Sequence, residues 1–422
     1  MFKTITRSPI FIGASWYFFE KFLRLIGAFL IGAWLARYLG PAAYGELAYS
    51  LALVATLGFL GSLGVESLVV RDLIEGKRDR KSILSTYFYI RLVGGCTVPF
   101  LAAAYLLLTQ ADQPLILLTI LCSGSLLFGS FDAADCWLQS ENKAKSTSVI
   151  RIVGFLFGAT SRILLILCHA SIEWFAIAVV IESALIAALY FCLLSRHGLT
   201  PRLSQVNFEE FKHLIVGGKM MIISGLTVAA YSKIDVLAVG TLLSKEAVGS
   251  YAMAASMCAA WNMVGMSIVQ AWAPKISGAR TISHQEYIRS MRQLLIVVLA
   301  ISIGGASILS ISSEMIFLIL LGEQFLNSAM IFSILVWSSV FVFLGVATSQ
   351  IIVNERIYWV SLVRTALGLV FSLAVIYFVS ATWSTTEFAF LVVFTSALAT
   401  TAITFSKKAR QTIGQILKVS LK

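Results

Sequence analysis

Long stretches without a single charged residue dominate this chain. Uncharged runs cover 47–65, 92–111, 113–131, 247–274, 293–313, 324–354, 365–386 and 388–406. Crossing roughly 30 Å of hydrocarbon takes about 20 residues of helix at ~1.5 Å each, so these runs are long enough to span a bilayer. Inside lipid each backbone amide must be paired within its own segment, which selects helices over open strands. The ~10-residue alternating pattern of a membrane barrel is absent. With 59% apolar and only 13% charged residues, the chain lies outside the soluble class, which carries about 25% charge. The sequence reads as an all-α polytopic membrane protein.

About twelve transmembrane helices are predicted, at 11–39, 44–70, 83–108, 115–138, 147–168, 172–194, 214–243, 247–273, 293–313, 327–353, 357–380 and 386–405. Met1–Arg7 is too short and polar for a cleavable signal peptide, and the apolar stretch from Ile10 is too long for an h-region. Six cysteines fall within or at the ends of spans without disulfide or metal spacing, and read as small packing residues.

Basic residues orient the spans, because cytoplasmic loops carry the excess of Lys and Arg. With both termini inside, 22 of the 32 basic residues fall on inner loops and tails, Lys245 alone falls outside, and nine lie within spans. A missed or extra helix would invert every later loop, so the net charge of +11 is first a topology signal; nucleic-acid binding is not expected.

The longest inner loop, Ser195–His213, divides six spans from six. This predicts an N-terminal six-helix lobe at 1–194, a cytoplasmic linker at 195–213, a C-terminal six-helix lobe at 214–405 and a basic cytoplasmic tail at 406–422. A faint repeat crosses the linker at an offset of 204 residues: Leu39, Ala43, Gly45 and Ala48 line up with Leu243, Ala247, Gly249 and Ala252. Six spans leave the second half in the orientation of the first, a parallel repeat of the kind that rocks around a central cavity. The loops are too short for an external catalytic domain, and no GxxxxGK[ST] phosphate loop occurs, so a transporter is expected rather than an enzyme.

Charges within spans carry the functional reading, since one near the bilayer centre costs roughly 2.5–3.5 kcal/mol. Span one holds Glu20, Lys21 and Arg24. Lys21 and Arg24 share a helix face, and Glu20 can pair with Arg24. The pattern reads either as a cationic patch facing a cavity or as a structural ion pair. Lys219, Lys233 and Asp235 lie in span seven, the counterpart of span one. Arg91 and Arg364 lie about eight residues into their spans, where each could enter a cavity or reach for headgroups; Arg37 and Arg151 read as interfacial anchors. The candidate substrate-binding cations are therefore Lys21, Arg24, Arg91, Lys219, Lys233 and Arg364. Among the span acids, Glu66, Asp132, Asp135 and Asp235 are candidates for binding a coupling H+ or Na+, with Glu182 as a further acid. Asp132 and Asp135, three apart, read as sharing a face. The four histidines fall outside the spans and offer no proton relay, and neither a cofactor nor a metal site is expected.

Four stretches resemble the Wzx-type polysaccharide flippases of the multidrug/oligosaccharidyl-lipid/polysaccharide exporter superfamily. Ala36–Ser50, ARYLGPAAYGELAYS, looks like that family's outer turn with its LGP and YG. Cys136–Lys143, CWLQSENK, is similar to its W-x-x-Q-G-x-x-K end of span four, with Ser140 in place of the Gly. Lys233–Ser256 is close to its I-D-x-x-x-x-G…V-G-x-Y-x-x-A stretch, and SQIIVNERIYW at 349–359 fits its junction of spans ten and eleven. The resemblance implies two six-helix lobes around a cationic cavity. It also implies translocation of O-antigen repeat units linked to undecaprenyl diphosphate across a bacterial inner membrane, coupled to protons or sodium. An O-antigen polymerase and a chain-length regulator are the implied protein partners. The residues agree in substance: a diphosphate carries about two negative charges, which Lys and Arg in a low-dielectric cavity can offset. The competing readings are a drug or cation exporter, which favours an acidic cavity, and a membrane-embedded polymerase or ligase, which needs a large outer loop.

Overall fold

A computed structural model describes residues 9–355, 357–379 and 383–418. Every regular element among them is helical. In chain order these are α1 (Pro9–Ser62), α2 (Glu66–Glu75), α3 (Arg80–Leu108), α4 (Gln113–Ser123), α5 (Ala133–Ser140), α6 (Ala144–Leu167), α7 (Ile172–Arg196), α8 (Phe208–Tyr231), α9 (Ile234–Leu242) and α10 (Lys245–Ile282). There follow α11 (His284–Ile311), α12 (Ser313–Leu321), α13 (Leu326–Leu335), α14 (Ser338–Asn354), α15 (Trp359–Val379), α16 (Thr385–Thr401) and α17 (Lys407–Lys418).

Ten helical stretches are long and apolar enough to cross a bilayer, and the bent pair Glu323–Leu335 and Ser338–Asn354 adds an eleventh. One of the ten, Phe19–Glu75, runs 57 residues, about 85 Å at helical rise and far more than one crossing. Gly40 divides it: its φ of 76° and ψ of 168° are non-helical, a backbone that glycine adopts at no steric cost. Pro41 follows as the start of a new helix, where its missing amide is no loss. Counted this way the crossings number twelve, as the apolar runs predict.

The spans are less straight than those runs suggest. Span seven breaks at Ser232–Lys233, between α8 and α9. Span ten bends by 45° at the α13/α14 junction. Span four passes through a 3₁₀ stretch, Gly129–Asp132. The outer loop expected at 314–326 is largely helical, as α12 and a 3₁₀ turn at Glu323–Phe325. The basic tail forms α17, whose Ala409, Thr412 and Ile416 are buried and whose Lys407, Lys408 and Arg410 are exposed. Arg356 and Met1–Ser8 fall outside the described residues.

The chain forms two compact units. The first comprises Met1–Leu39 and Glu46–Ala229, the second Gly40–Gly45 and Ala230–Lys422. Two apolar clusters fill the first. One gathers Leu68, Leu84, Tyr87, Trp137, Tyr190 and Leu214, and the other Leu35, Leu47, Val54, Leu118, Cys122 and Phe175. Small residues set the helix spacing, as expected where lipid removes the hydrophobic drive between helices. A Cβ added at Gly95 would lie 2.7 Å from the Leu126 carbonyl oxygen, and one at Gly61 would lie 3.1 Å from Gly94 C.

The linker is ordered against this unit. Ser85 Oγ donates to Gln205 Oε1 (3.1 Å) and accepts from Arg202 N (3.3 Å), while Thr86 Oγ1 accepts from Asn207 N (3.2 Å). Helix α8 then begins at Phe208, earlier than the apolar run, and carries His213 inside it. The expectation that all four histidines lie outside helical spans is thus corrected, because polar residues of the linker supply the first turns. His213 Nε2 lies 2.8 Å from Asp72 Oδ2 at the end of α2, and Arg78 pairs with Glu210 at 2.9 Å. In the second unit Val269, Met291, Leu294, Phe343, Ile351 and Ile403 pack together, with α17 joining through Ala409 and Ile416.

Candidate functional site

The densest charge cluster within a span lies in the first unit, and local breaks in its helices build it. Helix α1 ends in two left-handed residues, Leu63 (φ 54°) and Gly64 (φ 63°), so that α2 restarts with Glu66 in its first turn, where the helix dipole favours an acid. The 3₁₀ stretch in span four delivers Asp132 at its end. Between them Arg91 stands on α3, eleven residues from its start, about 16 Å along the axis. Its Nη1 donates to Glu66 Oε1 (2.8 Å) and to Tyr87 Oη (2.9 Å), and its Nη2 to Asp132 Oδ2 (2.7 Å). The guanidinium is 12% exposed, whereas Glu66 is 55% and Asp132 40% exposed. Two carboxylates hold Arg91, and both of them are partly exposed.

A second pair adjoins the first. Arg151 Nη2 donates to Asp135 Oδ2 (2.7 Å), which also accepts from Gln139 Nε2 (3.0 Å). Asp135 Oδ1 is buried with no hydrogen-bond partner among the described residues. Arg151, read from the sequence as an interfacial anchor, stands about two turns into α6, which starts at Ala144, and pairs with a buried acid. Nor do Asp132 and Asp135 act as one face. The 3₁₀ turn before α5 points them at different arginines.

The other candidates are dispersed. Arg24 donates to Glu20 (2.9 Å), which is fully buried and whose second oxygen has no hydrogen-bond partner among the described residues; the structural ion pair is present. Lys21, beside them, is exposed. Lys219 is exposed on α8, while Gly218 next to it packs on Val65. In the second unit Asp235 accepts from Tyr251 Oη (3.0 Å) and Val236 N (2.8 Å), and Lys233, at the α8/α9 break, is exposed. Arg364 Nη1 donates to the Gly345 carbonyl (2.8 Å), and no carboxylate lies within salt-bridge distance of it among the described residues.

Glu182 is bound by Arg162 at 2.8 Å. Four of the five acids predicted within spans therefore sit on an arginine, and the fifth on a tyrosine. Tyr87, Arg151, Gln139 and Tyr251 were not singled out from the sequence as site residues. The four-residue spacings of Tyr87 with Arg91 and of Asp135 with Gln139 were the local signals available for them. No cluster of three or more potential metal-ligating residues occurs among the described residues.

Residues 34–330 match the family described as "Polysaccharide biosynthesis protein". The chain belongs to this family. Its fold is shared with solved structures of membrane transporters. An inward-facing multidrug resistance MATE family transporter matches with a TM-score of 0.71 at 14% identity, over 94% of this chain and 96% of that one. The lipid II flippase MurJ, in an inward closed conformation, matches with 0.70 at 15% identity, over 96% and 90%. A Vibrio cholerae MATE transporter in its bent form matches with 0.54 at 13% identity, over 97% and 100%. Among curated protein sequences none matches. At these identities the shared property is the fold.

Proposed function

We propose that this family member is a flippase for an anionic, lipid-linked oligosaccharide. It would move undecaprenyl-diphosphate-linked O-antigen or related repeat units from the cytoplasmic to the periplasmic face of a bacterial inner membrane by alternating access. One observation carries the reading: among the described residues, four of the five predicted span acids are engaged by arginines, while the span cation Arg364 has no acid within salt-bridge distance. Glu66, Asp132, Asp135 and Glu182 each hold an arginine, whereas Arg364 donates to the Gly345 carbonyl and lies near Tyr231. Glu66 and Asp132 share their charge with an arginine, and a span arginine with no paired acid suits an anionic cargo better than a cationic drug. A guanidinium in a low-dielectric site forms charge-assisted, often bidentate bonds to phosphate oxygens.

Lys21, Arg24, Lys219 and Lys233 are the further cations assigned to the diphosphate path. The Glu66–Arg91–Asp132 triad is assigned to a coupling H+ or Na+, because two partly exposed carboxylates there share a single arginine. The count of basic residues supports cytoplasmic N- and C-termini. An O-antigen polymerase and a chain-length regulator are the proposed partners that would receive the translocated unit.

The test is complementation of surface polysaccharide in a flippase-deficient strain, with membrane levels of each variant measured. Arg364→Gln and the pair Lys21→Ala with Arg24→Ala are expected to lower display, while Arg364→Lys retains part of it. Full display from all of them at normal membrane levels would overturn the reading.

A further inference from the structure

The end of the second unit that carries α17 holds a cavity unrelated to the span charges. Its volume is about 640 Å³, and His284, Ile288, Arg289, Arg292, Ile296 and Gln415 line it, a size that suits a small ligand or a lipid headgroup. Arg289 and Arg292 are three residues apart on α11 and so share a face. Neither has a carboxylate within salt-bridge distance among the described residues, although other arginines at this end do: Arg280, for example, pairs with Glu355 at 2.8 Å. One acid, Glu286, also lines the cavity; it lies in the first turn of α11, where the helix dipole and the Ser283 cap engage it.

The far wall is fixed by α17. His284 Nε2 donates to Gln415 Oε1 at 2.8 Å, and Ala409 and Ile416 anchor the helix in the core. Lys407, Lys408 and Arg410 are left exposed on it.

Depth decides the kind of ligand. Arg292 is the last charge before the uncharged run 293–313, so the cavity straddles the level at which α11 enters hydrocarbon. Ile296, one turn further in, is 54% exposed and offers an apolar wall where an acyl chain would run. A soluble phosphate compound has no use for that wall, whereas a phospholipid meets both ends of it. We propose that this cavity is a binding site for the phosphate headgroup of an anionic membrane lipid, clamped by Arg289 and Arg292 and closed by α17. None of its lining residues is among those assigned to the cargo, and the site does not depend on their role.

The experiment is native mass spectrometry of the full chain in detergent, titrated with dioleoylphosphatidylglycerol or dioleoylphosphatidylcholine. The wild type is expected to retain one phosphatidylglycerol in preference to phosphatidylcholine. In Arg289→Gln/Arg292→Gln that retention falls about tenfold or more, from the loss of two charge contacts near the surface. Arg289→Lys/Arg292→Lys keeps most of it. Millimolar inorganic phosphate leaves the lipid bound. Equal retention of both lipids by the wild type, unchanged retention in a monodisperse double Gln variant, or displacement by inorganic phosphate would each overturn the proposal. The wild-type preference and the Lys variant decide it even where the Gln variant fails to fold.

Discussion

Gly45 and Gly249, the two glycines paired by the internal repeat, lie against each other's backbone within the second unit. A Cβ added at Gly45 would collide with the Lys245 carbonyl and lie 2.8 Å from Gly249 N; one added at Gly249 would collide with the Pro41 carbonyl. The neighbours are main chain, so they cannot yield as a side-chain tip does, and the close approach has the small-residue character of helix contacts in lipid.

Gly45→Ala and Gly249→Ala are therefore each expected to destabilise the fold by about 1–3 kcal/mol, the usual cost of overpacking. Gly278→Ala is the control, because nothing lies within 4 Å of where its added methyl would sit. Thermal unfolding in detergent followed by fluorescence reads all three, and equal midpoints would contradict the contact.

Removing one member of the Arg91 triad should cost more than removing two. Arg91→Ala leaves Glu66 and Asp132 without that counter-charge, and losing a hydrogen bond to a charged group costs about 1.5–3 kcal/mol, less where the acids are exposed. The added change Asp132→Asn takes away one of the stranded charges and should recover part of the loss. A double-mutant cycle on unfolding gives the coupling; simple additivity would show that the pair contributes nothing.

His213 and Asp72 should couple as well. Their 2.8 Å contact joins the start of α8 to the end of α2, and a hydrogen bond to a charged group is worth about 1.5–3 kcal/mol. His213→Ala is expected to free the beginning of α8, raising hydrogen exchange across 208–216 relative to α3. Unaltered exchange there would mean that the Arg78–Glu210 pair holds the helix by itself.

Single cysteines introduced at Ala111 and Trp383, with the native ones replaced, test the orientation. Both are expected to react with a membrane-impermeant thiol reagent added from outside. Failure at both would invert the topology.

Twelve crossings were legible in the sequence because span-forming apolar runs are dictated by bilayer thickness alone. The breaks were not. Nothing in the residues around Ser232–Lys233 or Val336–Trp337 signals a helix end as strongly as Gly40–Pro41 does, since in both places helices on either side take up the freed backbone groups. The site was legible as a set of residue types. Composition named Glu66, Arg91 and Asp132 separately, but their convergence depends on a left-handed turn at Leu63–Gly64 and a 3₁₀ turn at Gly129–Asp132, tertiary features without a local code. The Arg151–Asp135 pair went unseen for the same reason: the partner comes from another helix. His213 was misplaced because the apolar run starts after it, while the helix starts before it.

The charge cluster in the first unit also has an electrical consequence. Glu66, Asp132 and Asp135 against Arg91 and Arg151 leave one net negative charge. Moving one elementary charge through the membrane potential involves about 2.3 kcal/mol per 100 mV. A single bound monovalent cation cancels that charge. The loaded cluster would then be indifferent to voltage, and only the empty one would be pushed by it, so a change in membrane potential should act on the resetting half of a transport cycle and leave the loaded half alone.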